Sequence, residues 1–210
     1  MDNSSFEEEM MDLLQKYNKR KLADVGILLI GSMWLLGFVS FLGIIFLGNY
    51  DLSYTMSVLI CLGVFPYCYI GRCYPYMNRV LPRYLKYWKF LAGLTIIVLF
   101  TVNHLTVNRS VAEIGFIGLK YLIVAVSEEI LFRYYLQTLL EEQFSEWLAL
   151  FLQTFLFAFL LHSGLPLSLN LFIRLPAGIL LTLIFKRTGD LSIPIIIHLL
   201  YDAIIHIIWL

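Results

Sequence analysis

A chain of 210 residues that is 60% hydrophobic and 14% charged, with a mean hydropathy of +0.81, carries more apolar surface than a soluble domain of its size can hide. A formal net charge of zero gives no electrostatic case for a nucleic-acid partner. The three cysteines, Cys61, Cys68 and Cys73, form no CxxC, so they exclude a disulfide frame or a zinc site and read as buried thiols.

The composition specifies an all-α, polytopic transmembrane helical bundle. Residues 1–22 carry Phe6, Met10, Leu13, Leu14 and Tyr17 at near-helical spacing, with Glu7, Glu8 and Glu9 early and Lys16, Lys19, Arg20 and Lys21 late. This predicts an amphipathic helix lying on the cytoplasmic membrane surface, its charges matched to the helix dipole. Residues 23–110 hold the N-terminal spans. The first runs from about Asp24 to Gly48 and turns at Asn49-Tyr50-Asp51, and the second ends near Ile70. A basic loop, residues 72–89, contains Arg72, Arg79, Arg83, Lys86 and Lys89 and leads to a third span, about Phe90 to Val107. Residues 111–210 hold four more: 111–140, 146–162, 168–185 and 191–210, for about seven in all. In that arrangement the basic residues before the first span, the 72–89 loop and Lys186-Arg187 share one side, and the opposite loops hold only Arg109. By the positive-inside rule that side is cytoplasmic, which puts the N-terminus in the cytoplasm of a cell-membrane protein.

The fourth span contains Glu128, Glu129 and Arg133. An ionised carboxylate at membrane depth costs on the order of a few kcal/mol, so such groups face a bundle interior and mark function. On a helix Arg133 follows Glu129 at i,i+4, in the order that favours pairing, while Glu128 is turned about 100° away and left free. Spans four and five form a hairpin turning near Ser145, with Glu128 17 residues before the turn and His162 17 after it. On straight helices both reach about 25 Å from the turn, so they can meet. The last span adds His198, Asp202 and His206 on one face, with His206 near the outer end as the weakest member.

This chemistry suits hydrolysis. A carboxylate desolvated in an apolar site is a stronger base than one in water. By one route Glu128 and His162 activate a water, with His198 and Asp202 supporting the oxyanion or the carbonyl. By a second, Glu128, His162 and His198 hold a divalent metal such as zinc with an open water position. An ionised Asp202 only accepts hydrogen bonds, so it donates to an oxyanion only when protonated; otherwise it orients His198 or helps to bind metal. Arg174, within span six, is a candidate partner for Glu129 or for a substrate carboxylate.

The EExxxR of Glu128, Glu129 and Arg133, the histidine at His162, and HxxxD at His198 and Asp202 after Thr188-Gly189-Asp190-Leu191-Ser192-Ile193-Pro194 resemble the three motifs of the CPBP family. This is the group of intramembrane endopeptidases that includes type II CAAX prenyl proteases and Abi proteins linked to bacteriocin self-immunity. The resemblance covers about residues 111–206. It implies that Glu128 is the catalytic carboxylate, Glu129 and Arg133 its supporting pair, His162 the partner activating water, and His198 with Asp202 the third-motif residues. The family's second motif is FxxxH, whereas here Ala158 stands four before His162, with Phe157 and Phe159 on either side. The third motif often ends in Asn, and Asp202 is its variant.

The implied function is an intramembrane endopeptidase acting on a membrane-associated peptide, prenylated as in the eukaryotic branch or a leader peptide as in bacterial members. The alternative is a non-catalytic immunity or regulatory protein that binds a bacteriocin, transporter or sensor kinase. A proton-coupled transporter has the right residue types but not the paired Gly/Pro-broken segments of inverted repeats.

Overall fold

A computed structural model describes the backbone of residues 3–107, 109–164 and 166–209, and the side chains of residues 19–208 apart from 108 and 165. All regular structure among the described residues is helical, with no strand. Seven long helices follow one another: α1 Asn3–Leu47, α2 Tyr50–Cys73, α3 Trp88–Thr106, α4 from Val111 to Glu141, α5 Glu146–Leu161, α6 Leu167–Thr188 and α7 Ser192–Trp209. Their ends fall close to the expected segments. Four of them, Lys19–Leu47 within α1 together with α2, α3 and α6, are long and apolar enough to cross a membrane by length and composition, while α5 and α7 are shorter apolar helices. Helix α4 falls outside both groups because of its own charges.

The N-terminal segment differs from expectation. The amphipathic stretch and the first span are one continuous helix, because no glycine or proline interrupts residues 3–25. The side chains that would define its amphipathic face, residues 1–18, lie outside the described residues. The turn falls at Gly48-Asn49, shorter than the expected Asn49-Tyr50-Asp51, because Asn49 caps α2 and starts it at Tyr50, its side chain accepting from the Leu52 N–H at 3.0 Å. The cysteines are all free, but only Cys61 is buried, whereas Cys68 lies on an outward face of α2.

Helix α4 is the hub, touching all six other long helices. It starts at a capping box, in which Ser110 Oγ accepts from the Glu113 N–H at 3.3 Å and Glu113 accepts from the Ser110 N–H at 2.9 Å. In its middle Leu131, Phe132, Arg133, Tyr135 and Leu136 are fully enclosed. A helix buried all round at that level is an interior element.

The two ends of the bundle differ in kind. At one end Lys21 pairs with Glu142, Lys186 with Glu141 and with Glu146 at 2.8 Å, and the Leu191 N–H bonds Tyr84 O at 2.6 Å. The start of the first span, the basic loop and the α4–α5 and α6–α7 turns are thus gathered together. At the other end Lys120 pairs with Asp51 at 2.6 Å, and Asn103 bonds the backbone of Arg109.

Candidate active site

Four π-helical stretches cluster around the centre of the bundle: Leu59–Val64 in α2, Ile130–Leu136 in α4, Leu156–Leu161 in α5 and Asn170–Arg174 in α6. Such widened turns are rare and gather at functional sites. The first faces the acidic motif closely, since a Cβ on Gly63 would lie 3.0 Å from Ser127 Oγ. The second directly follows Glu128-Glu129, the third directly precedes His162, and the fourth ends on Arg174.

The hairpin does bring Glu128 and His162 together, at 4.0 Å between Oε2 and Nε2, although neither helix is straight α. Each leg carries a π segment, so both depart from regular helical rise and their tips stay level. From α7, His198 Nε2 lies 3.8 Å from the same Glu128 oxygen and 3.3 Å from Asp202 Oδ2, while its Nδ1–H donates to Glu129 Oε1 at 2.8 Å. Glu129 Oε2 lies 3.1 Å from Arg133 Nε. Glu128, His162, His198, Asp202, Glu129 and Arg133 therefore form one continuous cluster contributed by α4, α5 and α7. His206 stands apart, with Nδ1 3.1 Å from the Tyr121 hydroxyl near the opposite end.

Glu128 and Glu129 are 1% and 0% exposed, yet they are held differently. Glu129 is bracketed by Arg133 and His198, whereas neither oxygen of Glu128 has a hydrogen-bond partner. A buried carboxylate without partners carries its full desolvation cost, which makes it reactive toward any donor that enters.

Phe157 and Arg174 contribute more than the sequence indicated. Phe157 packs edge-on to His162 and His198, with ring centroids 5.1 and 6.2 Å apart, and carries the Arg133 guanidinium 4.1 Å over its face. It stands five residues before His162 rather than the four of FxxxH. In a π turn the successive neighbours are i and i+5, so Leu156–Leu161 restores the face that the extra residue would have displaced. Beneath it Gly178 leaves no room for a side chain, because a Cβ there would sit 2.7 Å from Thr154 Cγ2 and 3.5 Å from Arg133 Nη2. Arg174 pairs with neither carboxylate. Its Nη1 donates to His162 Nε2 at 3.1 Å, and Asn170 Nδ2 donates to the His162 carbonyl at 2.9 Å.

The metal route fits this donor set poorly. Donors bound to a tetrahedral zinc at about 2.1 Å stand about 3.4 Å apart, and here a guanidinium already occupies the His162 nitrogen that would ligate. Among the described residues no group of three His, Cys, Asp or Glu side chains is arranged to hold a metal ion.

Residues 110–204 match the family described as type II CAAX prenyl endopeptidase Rce1-like. The matched stretch includes α4, α5, α6 and most of α7, hence the whole polar cluster, and it agrees with the CPBP resemblance carried by the three motifs. No curated protein and no solved structure matches the chain.

Proposed function

We propose that the protein is an intramembrane endopeptidase in which Glu128 activates the hydrolytic water. The observation that carries this reading is the state of Glu128: buried, without a hydrogen-bond partner, and 3.8 and 4.0 Å from two imidazole nitrogens. Those separations are too long for direct hydrogen bonds and suit groups bridged through one water oxygen. Glu128 Oε2 takes a proton from that water as its oxygen attacks the scissile carbonyl, and the proton passes to the departing amine. His198, fixed by Glu129 through Nδ1, points Nε2 at the reacting centre and shares a proton with Asp202 in their 3.3 Å contact, so it can donate to the developing oxyanion. His162 lines the other side of the water. Arg133 neutralises Glu129 and keeps that carboxylate from competing with Glu128 for the proton. No step requires a metal.

In this reading α1 to α7 are seven spans, with the Lys21, 72–89 and Lys186 end in the cytoplasm of the cell membrane. Residues 1–22 form a cytoplasmic arm, 23–110 a supporting bundle and 111–210 the catalytic core. The substrate is a membrane-associated peptide, either prenylated or a leader peptide.

The test compares peptide termini, by mass spectrometry, in host membranes carrying the wild type or Glu128→Gln at equal measured abundance. New termini confined to the wild type, and persisting in the presence of a chelator, are the expected result. Identical termini in both would remove the protease reading and leave binding, as in an immunity or regulatory protein.

A further inference from the structure

Arg174 is the one charged group of the site that the mechanism above leaves without a task. It sits in α6 at the depth of His162, and its single hydrogen bond goes to the imidazole Nε2 at 3.1 Å. Among the described residues it makes no ion pair. A guanidinium has five donors in a planar fork, and a neutral imidazole neither balances its charge nor uses more than one of them.

Its surroundings say what would. Between α6 and α7 lies a cleft of about 200 Å³, lined on its polar side by Arg174, His198 and Asp202 and walled by Ile173, Leu180 and Ile197. Those three wall residues are 40–56% exposed, so the cleft opens sideways from the bundle, toward the lipid. In such an apolar, laterally open cleft the group that fits a partly free guanidinium is a carboxylate, bound by two parallel N–H···O bonds. Asp202, on the opposite wall, is engaged with His198 at 3.3 Å and so leaves Arg174 available.

The hydrogen bond to His162 gives this a consequence. Because Arg174 donates to Nε2, the one lone pair of the nitrogen that lies 4.0 Å from Glu128 Oε2 is occupied. We propose that Arg174 is the specificity residue of this site: it selects peptides that present a carboxylate beside the scissile bond, and in pairing with that carboxylate it releases His162 Nε2 to the reacting water. The inference rests on the protease reading for its second half only. The carboxylate preference is a binding property and stands by itself.

The probe is a synthetic peptide library in three forms: unmodified, amidated at the C-terminus alone, and neutralised at both the C-terminus and the acidic side chains. The full-length protein is purified into phosphatidylcholine nanodiscs. In the retention arm, immobilised Glu128→Gln protein, which binds without turnover, meets an equimolar isotope-coded mixture of the forms. Unmodified peptide should be enriched roughly tenfold over the fully neutralised form, as expected for a charge-assisted bidentate pair. In Glu128→Gln/Arg174→Gln that ratio should fall to about one, and Arg174→Lys, which keeps the charge but not the fork, should fall between. The form amidated only at the C-terminus separates the sources: if it is retained like the neutralised form the carboxylate is terminal, and if like the unmodified form it is a side chain. In the cleavage arm, protein with Glu128 intact should show the same order in kcat/KM, and Arg174→Gln should flatten it. Equal retention of all three forms, or a preference that survives Arg174→Gln, overturns the proposal. Cleavage of no form, with the retention ratio intact, would instead remove the protease reading and leave Arg174 as a carboxylate-binding residue.

Discussion

Helix α4 carries charge at two depths, and the two places solve the same electrostatic problem differently. Near its start Glu113 is exposed and bonds only its own cap at Ser110, and Lys120 reaches a half-exposed Asp51. One turn past its middle, Glu128, Glu129 and Arg133 are all sealed, and their partners come from one another and from α5 and α7. Charges at the end of a bundle are eased by water and headgroups. Charges at its centre can be eased only by one another, so the centre demands a network in which each member's position is set by the rest. Glu129 has Arg133 and a hydrogen bond from His198, whereas Glu128 has no hydrogen bond to either oxygen and no arginine or lysine beside it, and that asymmetry between the two carboxylates is what singles Glu128 out for chemistry.

The contrast can be sharpened by substitution. The largest effect belongs to Glu128→Gln, which should lower proteolysis by about 10²–10⁴-fold while leaving the thermal unfolding midpoint unchanged or higher, since it removes a buried charge that nothing pairs. A matching loss of folded protein would show instead that Glu128 is structural. Next comes Arg133→Met, which strands Glu129 and should cost about 3–5 kcal/mol in detergent unfolding; the double variant Glu129→Leu/Arg133→Met should recover most of it, because the stranded charge goes too. If the double variant is no better than the single, the ion pair is not what Arg133 supplies.

Gly178→Ala forces a methyl into Thr154 and toward Arg133, and should cost about 1–3 kcal/mol and slow proteolysis by disturbing Phe157. At the outer end the effects should be the smallest. Ser110→Ala removes one half of a cap, worth about 1 kcal/mol, and Lys120→Met leaves a water-accessible Asp51, worth less than about 1 kcal/mol; neither should alter proteolysis measured on the same peptides. An outer substitution that abolished activity would break the distinction between the two depths.

The parts of this arrangement that follow local rules could be read from the residues. Glu129 and Arg133 are four apart on a helix, the α4–α5 hairpin turns near Ser145 with equal legs, and the segments 88–106, 167–188 and 192–209 are apolar runs between turn residues. What escaped depends on geometry that no spacing encodes. A π turn needs only one residue more than an α turn and has no composition of its own, so Phe157 looked out of place five before His162 when it is the ring against which His162, His198 and Arg133 pack. Arg174 was visible as a charge in an apolar span, but its partner His162 comes from the end of another helix, and Glu129 proved to be already claimed by Arg133 and His198. Asn103, near the end of α3, is buried because it ties down the backbone of Arg109, a contact that no spacing encodes.

The central claim is that a water activated by Glu128 cuts a peptide bond. The most direct measurement incubates purified protein in nanodiscs with the unmodified peptide library in water enriched in oxygen-18, and reads the mass of each newly formed C-terminus. The account predicts labelled carboxylates with the wild type and none with Glu128→Gln. New termini of equal abundance and equal label from both proteins would contradict it.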